Sequence, residues 1–339
     1  MTESADEPRI LLAHGGGGEL ARELITRQFL PAFNDRELSR LADAAVVSMN
    51  GDRLAFTTDS FVVKPLFFRG GDIGRLAVSG TVNDLAAVGA RPLYLSLSFI
   101  IEEGLPLRVL SQVVSSVKTT AEEARVRVVC GDTKVVERRA ADQLFVTTSG
   151  IGRVEKSVHV GAERIVPGDA LILSGTLGDH AIAVMSAREA LDFQTVVESD
   201  VAPLGDLVAS ALGAGDVHAM RDPTRGGLAA VLNELAAQAR VGVELVEQDI
   251  PVAPAVRAAC DMLGLDVLQA ANEGKMVFFV QAGDAAAVLE ALRAHPLGRR
   301  AAMVGRVMGD HPGTVWVRTE AAGKRVVDCP VGELLPRIC

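Results

Sequence analysis

Apolar and polar residues alternate along the first half of the chain in a pattern that changes repeatedly between strand and helix periods. After Asp72, apolar residues recur at three- and four-residue steps, which predicts a helix with Asp72 as its N-cap and an end near Gly89. A second helix with one apolar face is predicted from about Pro106. Short apolar runs predict strands at 54–58, 93–101, 126–130 and 143–151. The first is followed by Asp59 at its end, and the third should be buried.

The second half shows the same mixture of periods. The pattern predicts helices at 178–190, 203–212, 227–239, 254–263 and 284–295. It predicts strands at 170–174, 241–246, 275–281, 301–307 and 314–318. Residues 152–168 resemble a connection between the halves. A mixed α+β fold in two lobes is therefore predicted, with domains at 1–155 and 156–330 and a flexible tail at 331–339.

Composition excludes several classes of protein. The 339 residues are 49% apolar, which is enough for two cores, and the formal charge of −9 argues against a nucleic-acid partner. No apolar run is long enough to predict a transmembrane helix, and the polar, acidic start does not resemble a secretory signal. The four cysteines are scattered without a CxxC pair, which favours free thiols in a reducing cytoplasm over a zinc site.

Acidic residues interrupt the pattern at four places. Asp59, Asp132 and Asp222 follow predicted strands or precede a helix, whereas the polar pair Asn83-Asp84 breaks the apolar face of a predicted helix. Each of the first three is by itself more typical of a cap or a turn. A buried polar pair needs partners, and carboxylates that converge would suit a hard cation such as Mg²⁺.

Glycine-rich segments at 14–18, 70–71, 175–178 and 226–227 precede predicted helices, whose N-termini favour anions. No P-loop and no dinucleotide-binding motif is present. Lys134 and Glu273 are candidates for an acid–base pair, although solvated surface positions are the usual place for both residue types. His14, beside the first glycine segment, is as consistent with a mobile loop as with phosphate binding.

The chain ends with a cysteine, Cys339, and Pro330 and Pro336 flank a short stretch before it that favours an extended arm. The stretch from Pro330 can reach roughly 30 Å when fully extended. A thiol on such an arm can receive a group and carry it into a pocket, whereas taken alone it is more typical of a frayed chain end.

Six motifs together resemble the HypE family of hydrogenase maturation factors, in the aminoimidazole ribonucleotide synthetase superfamily. They are TTDS at 57–60, GTVNDLA at 80–86, GDTKVV at 131–136, SGTLGDH at 174–180, MRDPTRGG at 220–227 and PRIC at 336–339. The resemblance runs from about Leu11 to Cys339, and the PRIC end narrows it to this family. It implies a two-lobed fold in which the N-terminal lobes of a homodimer form a shared β-barrel.

The resemblance also implies an activity. A carbamoyltransferase of the HypF type places a carbamoyl group on the Cys339 sulfur, and ATP with Mg²⁺ then drives its dehydration to a thiocyanate. A HypC–HypD type complex receives the cyano group for the nickel–iron centre. By resemblance, Asp59, Asp84 and Asp222 bind metal, and Cys339, Lys134, Glu273 and His14 are catalytic. The implied nucleotide contacts are Gly16, Gly17, Asn83, Asp132, Thr133, Thr224, Gly226 and Asn272.

Two alternatives remain. Another ATP-dependent enzyme of the superfamily, such as selenophosphate synthetase, thiamine-monophosphate kinase or the purine-pathway synthetase, would share the carboxylates without a terminal thiol. Selenophosphate synthetase is expected to have a reactive residue near its N-terminus, where this chain has no cysteine. A non-catalytic carrier would use Cys339 alone, and the retained acidic motifs argue against it.

Overall fold

A computed structural model describes residues 9–188, 197–321 and 323–332. The helices are α1 (Gly18–Leu24), α2 (Leu30–Phe33), α3 (Ile73–Ala87), α4 (Leu107–Glu123), α5 (Asp179–Arg188), α6 (Gly205–Ala214), α7 (Gly227–Ala239), α8 (Pro254–Leu263) and α9 (Ala285–Ala294). The strands of the first half are β1 (Ala45–Met49), β2 (Asp52–Phe61), β3 (Phe67–Phe68), β4 (Gly71–Asp72), β5 (Ala90–Glu102), β6 (Arg127–Val136) and β7 (Leu144–Val154). Those of the second half are β8 (Ala170–Leu173), β9 (Val217–Arg221), β10 (Gly242–Val246), β11 (Val277–Val280), β12 (Ala302–Met308), β13 (Val315–Arg318) and β14 (Lys324–Val326).

The strands form two main sheets, one in each half of the chain. The first has the order β1-β2-β7-β5-β6, and the second has the order β14-β13-β10-β12-β8-β11-β9. Antiparallel pairs predominate, with β5–β6 and β10–β13 as parallel pairs. The first sheet is open with β1 and β6 as its edges, so the described residues of one chain form no closed barrel.

Helix α3 lies at the centre of the molecule. The Asp72 side chain caps it by accepting hydrogen bonds from the backbone N–H groups of Gly74 and Arg75, as predicted. Within α3, only Arg75 and Asp84 are not buried. Its apolar residues share one core with β2 and α5 and another with α6 and β11. The helix therefore packs against both halves of the chain.

Most predicted elements are confirmed, with three differences. Five strands were not predicted, because each is short and lacks a long apolar run: β1, β3, β4, β9 and β14. Asp59 and Asp132 lie inside β2 and β6, whereas turns after shorter strands were predicted. The predicted burial of 126–130 is wrong beyond Val126, because β6 is an edge strand and Val128, Val129 and Cys130 are exposed. The predicted residues 189–190 of α5, and those of the tail from 333, lie outside the described residues.

No helix among the described residues combines the length and the apolar character that a membrane span requires.

Candidate active site

Carboxylates from four parts of the chain converge on one small cavity. Asp59 lies in β2, Asp84 in α3 and Asp222 directly after β9, and Glu273 lies in the buried segment before β11. Together with Thr224 and Arg225 they line a cavity of about 30 Å³. Helix α3 and strand β2 approach each other closely here. A Cβ at Gly80 of α3 would lie 2.9 Å from the Phe61 ring, so a residue other than glycine would have to displace this ring. The structure thus brings together Asp59, Asp84 and Asp222, the three aspartates that the resemblance implied as metal ligands.

Asp43, which precedes β1, is a further acidic residue of this site. Oxygen atoms of Asp43, Asp84 and Asp222 lie within 4.8 Å of one another. The Arg221 Nε lies 3.1 Å from Asp43 Oδ1, and Arg221 also donates to Glu234 and to the Leu41 carbonyl. Asp43 was not predicted from the sequence, since it follows no predicted strand and lies in no motif. The burial of Arg221, which only the structure reveals, is what requires a further carboxylate here.

The clustered carboxylates perturb one another's proton affinity. Burial, followed by the charge of Asp43, raises the pKa of Asp222 to about 8. Burial and the charges of Asp222, Asp59 and Asp43 raise the pKa of Asp84 well above its ordinary value. The pKa of Asp59 is also raised, chiefly by burial, although Arg225 opposes this. The cluster is therefore short of positive charge.

The pKa of Glu273 is raised well above its ordinary value by burial and then by the charges of Asp222, Asp59 and Asp200. Its Oε1 is buried, and no hydrogen-bond partner lies among the described residues. An oxygen of this kind, among carboxylates that offer only hard oxygen ligands, fits a divalent cation such as Mg²⁺. Asp43, Asp84 and Asp222 have the geometry to hold it.

Mg²⁺ is expected to stabilise the fold more at alkaline than at acidic pH. The pKa values of Asp222 and Asp84 are raised in the folded state. At any pH above about 4, the pKa of an aspartate in the unfolded chain, the folded state therefore binds more protons than the unfolded state. Without a cation, stability therefore falls as the pH rises towards about 8, and a cation relieves the repulsion that causes the loss. Thermal melts near pH 6 and near pH 8.5, with MgCl₂ or NaCl at equal ionic strength, measure the effect. An equal Mg²⁺ shift at both pH values would contradict it.

Asp132, Thr133 and Lys134 lie elsewhere in the chain's own fold. They occupy the exposed edge strand β6, where Lys134 Nζ lies 2.8 Å from Asp132 Oδ2. This hydrogen bond is the main reason that the pKa of Asp132 is lowered. Strands β7 and β5 lie between β6 and Asp59 of β2, which places the two sites about 14 Å apart at normal strand spacing. Within one chain, the structure does not bring these three residues to the carboxylates.

Asn83 and Asn272 are both buried and direct their amides at backbone groups. Asn83 bonds the backbone of Ala202, Leu204 and Glu273. Asn272 accepts from the Gly178 N–H and donates to the carbonyls of Pro223 and Ala270. Each side chain therefore ties together the segments around the cavity.

The first glycine segment lies beside the end of the described chain. A Cβ at Gly18, which has φ +73°, would lie 2.1 Å from the Pro330 oxygen, so only glycine permits this contact. The N–H groups of Glu19 and Leu20 donate to the carbonyls of Pro330 and Val331. These first-turn donors, which a phosphate was predicted to use, are occupied by the chain itself.

A larger cavity of about 460 Å³ adjoins the glycine segment and shares Arg225 with the carboxylate cavity. His14 and Gly17 line it, and His14 Nδ1 accepts a hydrogen bond from the Leu11 N–H. Gly16 lies between these two residues in the chain. The volume falls in the range of small-molecule sites.

The turn after β9 joins the two cavities. Gly226, at φ +77°, is the residue that precedes α7, and the Thr224 carbonyl accepts from the Gly227 N–H. Thr224 and Arg225 thereby face the carboxylates. Cys339 lies outside the described residues.

The chain matches two sequence families over most of its length. Residues 41–154 match the N-terminal domain, and residues 166–318 the C-terminal domain, of AIR synthase related proteins. The carbamoyl dehydratase HypE of Bradyrhizobium diazoefficiens is 51% identical over 330 residues, which cover 97% of this chain and 95% of that protein.

Solved structures agree with the sequence matches. A HypE in complex with ATP is 44% identical, with a TM-score of 0.82 over 98% of this chain and 100% of that chain. A HypE–HypF complex contains a chain that is 45% identical, with a TM-score of 0.87 over 91% of this chain and 99% of that chain. The acidic motifs that line the cavity and these full-length similarities lead to one assignment: the chain belongs to the HypE family of carbamoyl dehydratases, among the AIR synthase related proteins.

Proposed function

We propose that this protein uses ATP to dehydrate a carbamoyl group carried on the sulfur of Cys339, which yields a thiocyanate. The product supplies the cyanide ligands of a nickel–iron hydrogenase centre, and the reaction takes place in the cytoplasm. The observation that carries the proposal is the cavity of Asp59, Asp84, Asp222 and Glu273, which lies next to the root of a tail that ends in cysteine.

The root of the tail is fixed close to the site. Pro330 contacts Gly18, and its Cγ lies 3.8 Å from where a Cβ on Gly226 would stand, in the turn that carries Thr224 and Arg225. Seven residues follow Gly332, a length that spans at most about 25 Å. This reach supports delivery of Cys339 to the carboxylate cavity, through the larger cavity that shares Arg225.

The chemistry requires an activated oxygen. An amide oxygen is a poor leaving group, and transfer of the γ-phosphoryl group of ATP to it forms an iminophosphate with release of ADP. One nitrogen proton is lost as the iminophosphate forms. Loss of phosphate and removal of the remaining nitrogen proton then form the C≡N bond, so that the oxygen leaves on phosphate. Phosphoryl transfer depends mainly on positioning and charge neutralisation. A closed site would exclude water from the activated intermediate.

Asp43, Asp84 and Asp222 would hold Mg²⁺, with Asp59 beside them. A bound Mg²⁺ neutralises phosphate charge during phosphoryl transfer. The HypE structure that contains ATP supports nucleotide binding by this chain. We propose Gly16, Gly17, Thr224 and Gly226 as nucleotide contacts of the same chain, and His14 as a residue that lines the approach.

Glu273 is the proposed base that removes a proton from the carbamoyl nitrogen. The raised pKa of its carboxyl group gives the carboxylate a high proton affinity, which a general base needs. Lys134 is the proposed second group of the acid–base pair. Because Lys134 lies on an edge strand outside the chain's own cavity, we propose that Lys134, Asp132 and Thr133 act at the interface of a homodimer.

The proposed homodimer closes the open first sheet into a shared barrel through β6. The exposed valines of this edge strand, among them Val128, Val129 and Val135, support the proposal, because an unpaired apolar edge strand favours association. A HypF-type carbamoyltransferase is the proposed donor, which the HypE–HypF structure supports, and a HypC–HypD type complex is the proposed acceptor.

Val129→Glu is expected to convert the dimer into a monomer, because a charge near the start of β6 would be buried against the second copy. Sedimentation velocity measures the change. Val326→Glu is the matched control, since Val326 is also an exposed valine, 54% against 52%, on the edge strand β14 of the other sheet. Dimers that persist in Val129→Glu, or dissociation of both variants, would contradict the use of β6.

Intact-mass analysis tests the proposed function. The protein is carbamoylated with a HypF-type partner and carbamoyl phosphate, purified, and incubated with Mg²⁺ and either ATP or a non-hydrolysable analogue. We expect the adduct to lose the mass of one water with ATP and to keep its mass with the analogue. An adduct that keeps its mass with ATP would identify a passive carrier and overturn the proposal.

A further inference from the structure

The side chain of Asn83 joins helix α3 to the second half of the chain. Its Nδ2 donates to the backbone oxygens of Ala202, at 3.1 Å, and Glu273, at 3.3 Å. Its Oδ1 accepts from the Leu204 N–H at 2.8 Å. Asn83 is 1% exposed, so these bonds form where water does not compete for them.

These bonds use the hydrogen-bonding capacity that a nucleotide contact would need. A side-chain amide has two N–H groups, and both N–H groups of Asn83 are directed at protein carbonyls. Asn83 and its neighbour Asp84 also point in different directions from α3. Successive helix residues point about 100° apart, so that Asn83 faces the second half of the chain while Asp84 faces the cavity.

The backbone of Glu273 is held from both sides. Its N–H donates to Asp200 Oδ1 at 3.1 Å, and its carbonyl accepts from Asn83. Asp200 is itself fixed by Lys275, whose Nζ lies 3.0 Å from Asp200 Oδ2. A Cβ at Gly274 would lie 1.8 Å from the backbone carbonyl oxygen of Asp200, which shows how closely these segments pack. Asn83 is thus the hydrogen-bonded connection between the helix of Asp84 and the backbone of Glu273.

We propose that Asn83 is a positioning residue, which sets the place of Glu273 relative to Asp84 and thereby the rate of proton removal, and is not a nucleotide contact. The inference rests on the proposed dehydration, since it assigns to Glu273 the role given there. An error of about 1 Å in the placement of a reacting group can cost on the order of 100-fold in rate.

Single-turnover dehydration by Asn83→Ala, Glu273→Gln and the double variant tests the proposal. We expect Asn83→Ala to lower the rate about 10- to 100-fold while the ATP dissociation constant, measured by calorimetry, stays at the wild-type value. In the Glu273→Gln background, Asn83→Ala should cause no further loss, because it acts through Glu273. If Asn83→Ala does not fold, Asn83→Leu, which has a similar volume and removes the donors without adding a charge, replaces it.

Asn233→Ala is the matched control. The Asn233 Nδ2 also donates to two backbone carbonyls, those of Ala229 and Val327, and Asn233 is not a lining residue of either cavity. Its loss should lower the melting temperature and leave the dehydration rate unchanged. Weaker ATP binding by Asn83→Ala at an unchanged rate, or a loss that adds to that of Glu273→Gln, would overturn the inference. A wild-type protein that removes no water would instead overturn the proposed function, and the inference with it.

Discussion

Cys339→Ala is expected to accept no carbamoyl group and therefore to form no thiocyanate, with an unchanged melting temperature. The proposed reaction has one acceptor sulfur, so its removal eliminates the product and does not merely slow the reaction. Chain ends generally tolerate substitution, so little change in stability is expected. Intact-mass analysis after incubation with a HypF-type partner and carbamoyl phosphate measures the adduct.

The other cysteines provide the controls. Cys130 is an exposed thiol, and Cys130→Ala should be carbamoylated as fully as the wild type. Burial raises the pKa values of Cys260 and Cys329, which lowers the fraction of reactive thiolate at these positions. An adduct that persists in Cys339→Ala and maps to Cys130 would show that the acceptor is misassigned.

Asp84→Asn is expected to lower Mg²⁺-dependent kcat/KM for ATP by at least about 100-fold, since even groups behind a metal ligand contribute about 10- to 100-fold. Asp84 is one of three residues whose oxygens lie within 4.8 Å of one another, and it faces the cavity from α3. The amide keeps the shape of the carboxylate and can still accept the hydrogen bond from Thr57 Oγ1. The effect therefore reports on charge. Steady-state kinetics and calorimetric titration with Mg-ATP measure it.

The same variant should be more stable than the wild type when no divalent cation is present. Removal of one charge relieves the repulsion that raises the pKa values of Asp84 and Asp222. Asp72→Asn is the matched control on the same helix, because asparagine caps a helix as well as aspartate does. Unchanged Mg-ATP affinity in Asp84→Asn, or an equal loss in Asp72→Asn, would contradict the assignment of Asp84 as a ligand.

The sequence indicated most of the acidic residues of the site. Asp84 stood out because a carboxylate interrupts a helix that is otherwise apolar, and the cost of burying such a group demands a partner. Asp43 could not be found in this way, because nothing in its local sequence differs from an ordinary loop. Its role depends on Arg221 and on the approach of a loop to β9, which are long-range contacts.

For Asn83, the sequence indicated the location of the residue and did not indicate its partners. The sequence placed it correctly in a buried helix, and the resemblance assigned it to the nucleotide. Only the packing of α3 against the second half of the chain reveals that its amide reaches Ala202, Leu204 and Glu273. A residue's type and helical phase indicate that it needs partners, and they do not identify them.

By itself, the order of residues determined the mixed α and β fold, most helix and strand positions, the acidic motifs and the terminal thiol. These features follow from local periods of hydrophobicity and from the chemistry of single side chains. The tertiary structure alone decided that β6 is an exposed edge, which separates Lys134 from Glu273 within one chain, and that the tail's root lies against Gly18. The physical reason is that sheet order and chain crossings arise from contacts between residues far apart in sequence, which no local pattern encodes.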